Sequence, residues 1–233
     1  MPLGDGIGSD SYKYPLRGWN LHGLDTALGS GERKSILACQ IPDEVLKKMS
    51  TVGILETALS HPLFLDDMQF ANSQEGWFEY FSQKANVFQE LFKRGDAGEV
   101  LLKRVKSINL SDILKYNDTS TESNSFYNTV QHTYFFIAQP QILEKLDNKS
   151  RIALMEDILN KLKDARDKYP KIYYGEFFIS FLPYATVRLM EMEKYSPFME
   201  DKGLQQYTRT CSGCDISDLT VLTEKFIAFK KGN

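Results

Sequence analysis

The sequence predicts an all-α protein: an irregular multi-helix bundle or a curved αα-superhelix of the armadillo or HEAT kind, with about eight to ten helices. Apart from Pro2 and Pro15, the prolines fall at 42, 62, 140, 170, 183 and 197 and punctuate the chain. Between them, apolar residues recur at intervals of three and four, the spacing of one helix face. Strand-type alternation is thin: Thr133 to Ile137 is β-prone in composition, yet Tyr127, Val130, Tyr134 and Ile137 keep helical spacing.

Residues 1–30 open on Gly4, Gly6 and Gly8 among small and polar residues and read as a flexible leader, with a single helical domain over 31–233. Pro42 suits a first helical turn, and Asp43 and Glu44 place negative charge beside its unpaired amides. Ser50 and Thr51 are N-cap types for a second short helix with Val52, Leu55 and Leu59 close to one face, interrupted at His61-Pro62. Helices this short need tertiary neighbours to persist in water. Phe78, Phe81, Ala85, Phe88 and Phe92 mark the next stripe, Gly95 ends it, and Asp96 caps a helix through Val100, Leu101, Val105 and Ile108. Ser107 to Leu114 gives a weak helix. Residues 116–125, polar after Tyr116, are the place for a subdivision of the domain. Ile152, Met155, Leu159 and Leu162 line one helix; Tyr174, Phe178, Phe181 and Ala185 line another, which Pro183 must kink or stop near Leu182.

Composition narrows the function. With 233 residues, 42% hydrophobic and 25% charged, the chain is long enough to bury a core. A net charge of −3 with no dense basic block argues against nucleic acid. Lys161, Lys163, Arg166 and Lys168 alternate with Asp164 and Asp167, the pattern of a solvated helix face. Ile172 to Met192, the most apolar stretch, is broken by Glu176, Pro183 and Arg188, so no membrane span is expected.

The candidate chemistry is sparse. Cys211-Ser212-Gly213-Cys214 is a CxxC, open to reading as a local disulfide, two idle thiols, a redox pair or half of a zinc site; a zinc site needs two more ligands. Cys39, among Ile36, Leu37 and Ile41, reads as a small buried apolar residue. His22, His61 and His132 lack metal-spaced partners, and no GxSxG elbow occurs. In Gly29-Ser30-Gly31-Glu32-Arg33-Lys34-Ser35, Arg33 stands where a phosphate loop requires glycine. No catalytic residue, metal-ligand set or cofactor follows. Trp77, Phe78, Tyr80 and Phe81, and then Tyr173, Tyr174, Phe177 and Phe178, cover more of a helix than one stripe needs. Packing on two sides explains this; alternatively Trp77 or Tyr173 faces a groove and binds a protein, peptide or glycan partner.

The stretch from Ala38 to Leu65, with Cys39-Gln40-Ile41-Pro42, Leu55-Glu56-Thr57 and His61-Pro62-Leu63, resembles a helical domain of uncharacterised secreted or surface bacterial proteins. Leu91-Phe92-Lys93-Arg94-Gly95-Asp96-Ala97-Gly98, continuing into Leu101-Leu102, is similar to that group's next element. The resemblance implies an all-helical, exported, extracytoplasmic domain whose signal peptide has been removed, and it favours a Cys211–Cys214 disulfide. The expected function is a non-catalytic binding or scaffold module. The alternatives are a hydrolase-like enzyme assembled in three dimensions around His132 or His61, and a redox or metal protein using Cys211 and Cys214.

Overall fold

The helical periodicity prevails over β-prone composition everywhere it is visible. In the computed structural model, which describes residues 10–14, 39–61, 82–115, 121–169, 181–210 and 214–232, there are twelve helices and no strand among the described residues. Eight of the twelve have eight residues or more; the other four have four to six. The chain forms two compact units, 1–97 and 98–233.

In the first unit, α1 (Asp43–Leu46) and α2 (Thr51–Leu59) follow the expected punctuation, whereas the stripe expected through Ala85 is broken there: Ala85 is extended, α3 (Asn86–Lys93) begins after it, and Phe78 and Phe81 lie outside the described residues. Pro42 precedes α1, and the Ser50 hydroxyl accepts the Gly53 amide at 3.0 Å, capping α2. α2 packs on α3, and the core between them includes Ile54, Leu55, Ala58, Val87, Phe88 and Leu91. The segment entering α1 is fixed to the start of α3 by side chains. Asn86 Oδ1 accepts Ile41 N at 3.1 Å and Asn86 Nδ2 donates to Ile41 O at 2.7 Å, while Gln40 Oε1 accepts Asn86 N at 3.0 Å and Gln40 Nε2 donates to Lys84 O at 2.9 Å. Cys39 is buried beside this clamp.

The second unit holds α4 (Ala97–Ser107), α5 (Leu110–Lys115), α6 (Thr121–Ile137), α7 (Pro140–Leu143), α8 (Asn148–Lys168), α9 (Tyr184–Met192), α10 (Ser196–Glu200), α11 (Lys202–Thr210) and α12 (Ile216–Gly232). The polar stretch of 116–125 lies inside this unit, and from Thr121 onward it is helical. Polar, cap-favouring residues suit a helix's first turns, where no apolar face is required. The break expected near Leu182 is a turn over 181–183, with α9 beginning directly after Pro183; Tyr174 and Phe178 lie outside the described residues.

α9 is the hub of this unit. Seven consecutive residues, Tyr184 to Met190, are buried, and the helix packs against α6, α7, α8, α10, α11 and α12. A helix surrounded on all sides cannot show a polar stripe. Its one charged core member, Arg188, lies over the Tyr184 ring at 5.6 Å and reaches Glu191 Oε2 at 2.8 Å. Tyr184 stacks on Phe135 of α6 at 5.7 Å and donates to Thr208 O of α11 at 2.9 Å, so one side chain joins three helices.

Candidate functional site

Two of the three titratable centres suggested by sequence turn inward. His61 and His132 are at most 1% exposed, and burial lowers both imidazoles to about 3. His61 is framed by aromatic rings, Tyr14 at 5.1 Å and Phe88 at 5.6 Å. A histidine kept neutral and out of solvent is a core residue with a polar edge, poorly placed to exchange protons with a substrate.

Cys214 is half-buried with a free thiol. It sits against the start of α11, where Asp201 Oδ1 accepts the amides of Gly203 at 2.8 Å and Leu204 at 3.1 Å. A Cβ added to Gly203 would stand 3.8 Å from the Cys214 sulfur. Burial raises this thiol's pKa, and the charges of Asp201 and Asp218 add to the rise. A reactive thiolate requires the opposite shift. Cys211, Trp77 and Tyr173 lie outside the described residues. Among the described residues, no group of three or more His, Cys, Asp or Glu is placed to hold a metal ion, and no helix is long and apolar enough to cross a membrane.

The surface feature with defined geometry lies between α8 and α12, which pack side by side in the second unit. α8 starts at an N-cap, Asp147, whose carboxylate accepts Ser150 N at 2.7 Å, and its buried residues are Leu154, Met155, Ile158, Leu162 and Ala165. Leu159, expected in that buried stripe, is instead half-buried and turned to the α12 side. With Ile227 and Ala228 of α12 it floors an open groove of ≈ 560 Å³. Two ion pairs cross the rim, Lys163 Nζ to Glu224 Oε1 at 2.6 Å and Lys231 Nζ to Glu156 Oε1 at 2.5 Å. All four partners are 40–54% exposed, so neither pair contributes much to stability. Val221, 50% exposed, precedes Glu224 and Ala228 by three and seven residues and extends the same side.

The alternating charges of α8 predict a solvated Lys161. Its amine instead donates to Val105 O of α4 at 2.6 Å and to Asp157 at 2.7 Å, with the side chain 12% exposed; desolvation depresses its pKa. Of the basic run, Lys163 alone lines the groove, and no sequence signal separates it from Lys161 two residues earlier. Pairing α8 with α12 is the missing information, and their charges look like ordinary solvated faces until the two helices meet. Comparison with family models, with curated proteins and with solved structures finds no match to this chain.

Proposed function

We propose that the chain is a non-catalytic helical binding module whose α8–α12 groove receives a peptide segment of a partner protein. The observation that carries this reading is the pairing of an apolar floor, Leu159, Ile227 and Ala228, with a rim of weakly held opposite charges. A small apolar side chain suits the floor. Lys163, Lys231, Glu156 and Glu224 exchange their exposed ion pairs for charges or backbone groups of the incoming segment at little cost, because such pairs are worth little on their own. The burial of His61 and His132 and the raised thiol pKa of Cys214 support the same reading against a hydrolase or a redox protein. In this proposal the chain belongs to an exported bacterial protein, the expectation raised by the sequence of residues 38–65 and 91–102.

A peptide library displayed on phage and panned against the full chain tests the reading. Enriched peptides should bind saturably and weaken at least tenfold towards Ala228→Trp, which fills the groove from an exposed position while leaving the circular dichroism spectrum and melting temperature unchanged. Absence of enrichment, or equal binding by Ala228→Trp, overturns it. Turnover of a simple ester or amide that disappears in a folded His132→Gln variant overturns the non-catalytic part.

A further inference from the structure

One face of α2 is already occupied by a short peptide, the chain's own residues 10–14. A capping box joins an N-cap hydroxyl to a carboxylate three residues later, which reaches back to the N-cap amide. In α2 the N-cap is Ser50, and the residue three later is Gly53, which has no side chain. The carboxylate comes from Asp10 instead: its Oδ2 accepts Ser50 N, and its Oδ1 accepts the Ser50 hydroxyl at 2.9 Å. A Cβ on Gly53 would overlap the Asp10 carboxylate and stand 2.7 Å from its Cγ, so the glycine is the notch that admits it. Four residues further along α2, the Thr57 hydroxyl donates to Gly53 O at 2.7 Å, which aims its lone pair at Tyr12 N, accepted at 2.8 Å. At the helix end, Tyr14 meets the His61 ring edge-on at 5.1 Å and 71°, and Tyr12 meets Tyr14 at 5.4 Å and 85°.

Carboxylate, backbone amide and aromatic ring are thus read in turn by Ser50 with Gly53, by Thr57 and by His61. Tyr14 and Cys39 are separated by residues 15–38 in sequence, so the occupant is covalently remote from the face it fills. We infer that this face of α2 is a peptide-recognition site, selective for an aspartate followed at the fourth position by an aromatic residue, with the backbone amide of the second position read by Thr57. In the unliganded chain, residues 10–14 fill it as a tethered competitor. The site belongs to the first unit and does not depend on the α8–α12 groove.

The test uses the full chain carrying Asp10→Ala, with a fluorescently labelled synthetic peptide spanning Ser9 to Pro15 as probe. Tethering gives the internal segment an effective concentration on the order of millimolar. The probe should therefore bind the Asp10→Ala chain saturably and the wild-type chain at least tenfold more weakly. Replacing the probe's aspartate by alanine should also cost at least tenfold, as should adding Gly53→Glu to the Asp10→Ala chain. Equal binding in any of these pairs, or no binding by the Asp10→Ala chain up to millimolar probe, overturns the inference. Hydrogen exchange gives a second readout. The amides of Ser50 to Gly53 should exchange at least tenfold faster in Asp10→Ala and slow again with saturating probe; unchanged exchange in that variant shows that Asp10 does not hold the cap and equally overturns it.

Discussion

In residues 1–97, the ends of α2 and α3 are tied down by polar groups that lie far away in sequence: Asp10 on Ser50, Asn86 with Gln40 and Ile41, and the Thr51 hydroxyl on Asp96 at 2.6 Å. In residues 98–233, α8 takes its cap from the residue immediately before it, and α9 is held by apolar and aromatic side chains on every side. Among the described residues of the first unit, α1, α2 and α3 have four, nine and eight residues, too short to stand alone, and distant polar groups supplement the starts of α2 and α3. The second includes helices of 17 and 21 residues wrapped on a buried hub. At equal length, nine residues each, α2 combines a buried face with distant polar ties at its start, whereas α9 is held by burial along its whole length. The two units should therefore respond differently to truncation of apolar and of polar side chains.

The largest expected effect is in the hub. Leu189 is fully buried in α9, and Leu189→Ala should destabilise the second unit by about 2–5 kcal/mol, the range for deleting a buried leucine into a core that relaxes incompletely. Chemical denaturation followed by circular dichroism measures it. A loss below about 1 kcal/mol would remove α9 from the centre.

Acid should act next. His132 is buried at 1% exposure with its pKa lowered from 6.5 to about 3. Its folded pKa lies below the unfolded one, so the unfolded chain binds the extra proton between these values, and stability contributed above pH 6.5 is lost as pH falls towards 3. The slope is about 1.4 kcal/mol per pH unit for one histidine in the middle of that window. His61, lowered to about 3 in the first unit, adds the same term there. Comparing denaturation of wild type and His132→Gln between pH 6.5 and 4.5 isolates the hub-side term; parallel pH profiles would mean that His132 titrates normally.

In the first unit the corresponding lever is polar. Asn86→Ala deletes the amide that donates to Ile41 O and accepts Ile41 N, leaving both backbone groups without that partner. The expected loss is about 1–3 kcal/mol. Protease sensitivity around residues 39–46 should rise with it, while the amide exchange of α9 stays as in wild type. Faster exchange in α9 would erase the distinction between the units.

What could be read from the sequence follows the same division. The Ser50 cap, the start after Pro42 and the break at Pro183 are local, and each rests on residues within one helical turn. Asp10 over Gly53 and Gln40 with Asn86 are separated by more than forty residues, and nothing near Gly53 marks it as a notch for a distant carboxylate. The all-α class was legible because it needs only periodicity. The burial of Arg188 and Lys161 was not, because a charged residue at helical spacing looks solvated unless what covers it, here the helices packed around α9 and the Val105 carbonyl of α4, is known to be near. The groove was illegible for the same reason, its two walls being over fifty residues apart.

The smallest effect sharpens the comparison at the end of the hub. α9 closes with the amide of Tyr195 donating to Met190 O at 2.9 Å and that of Lys194 donating to Glu191 O at 3.1 Å, the pair of bonds that terminates a helix through a left-handed residue. That residue is Lys194, at φ 50°, where glycine would be unstrained. Its side chain is exposed, so Lys194→Gly removes the strain without opening a cavity. The unfolded chain gains freedom with glycine, which offsets part of the benefit, and the net expectation is a gain of about 0.5 kcal/mol. Thermal melting resolves the sign. A loss would show that the lysine stem contributes packing over the aromatic group formed by Tyr195, Phe226 and Phe229, whose rings lie 4.8–6.3 Å apart. The end of α9 would then depend on burial, like the rest of that helix, and a local turn would not be enough to fix it.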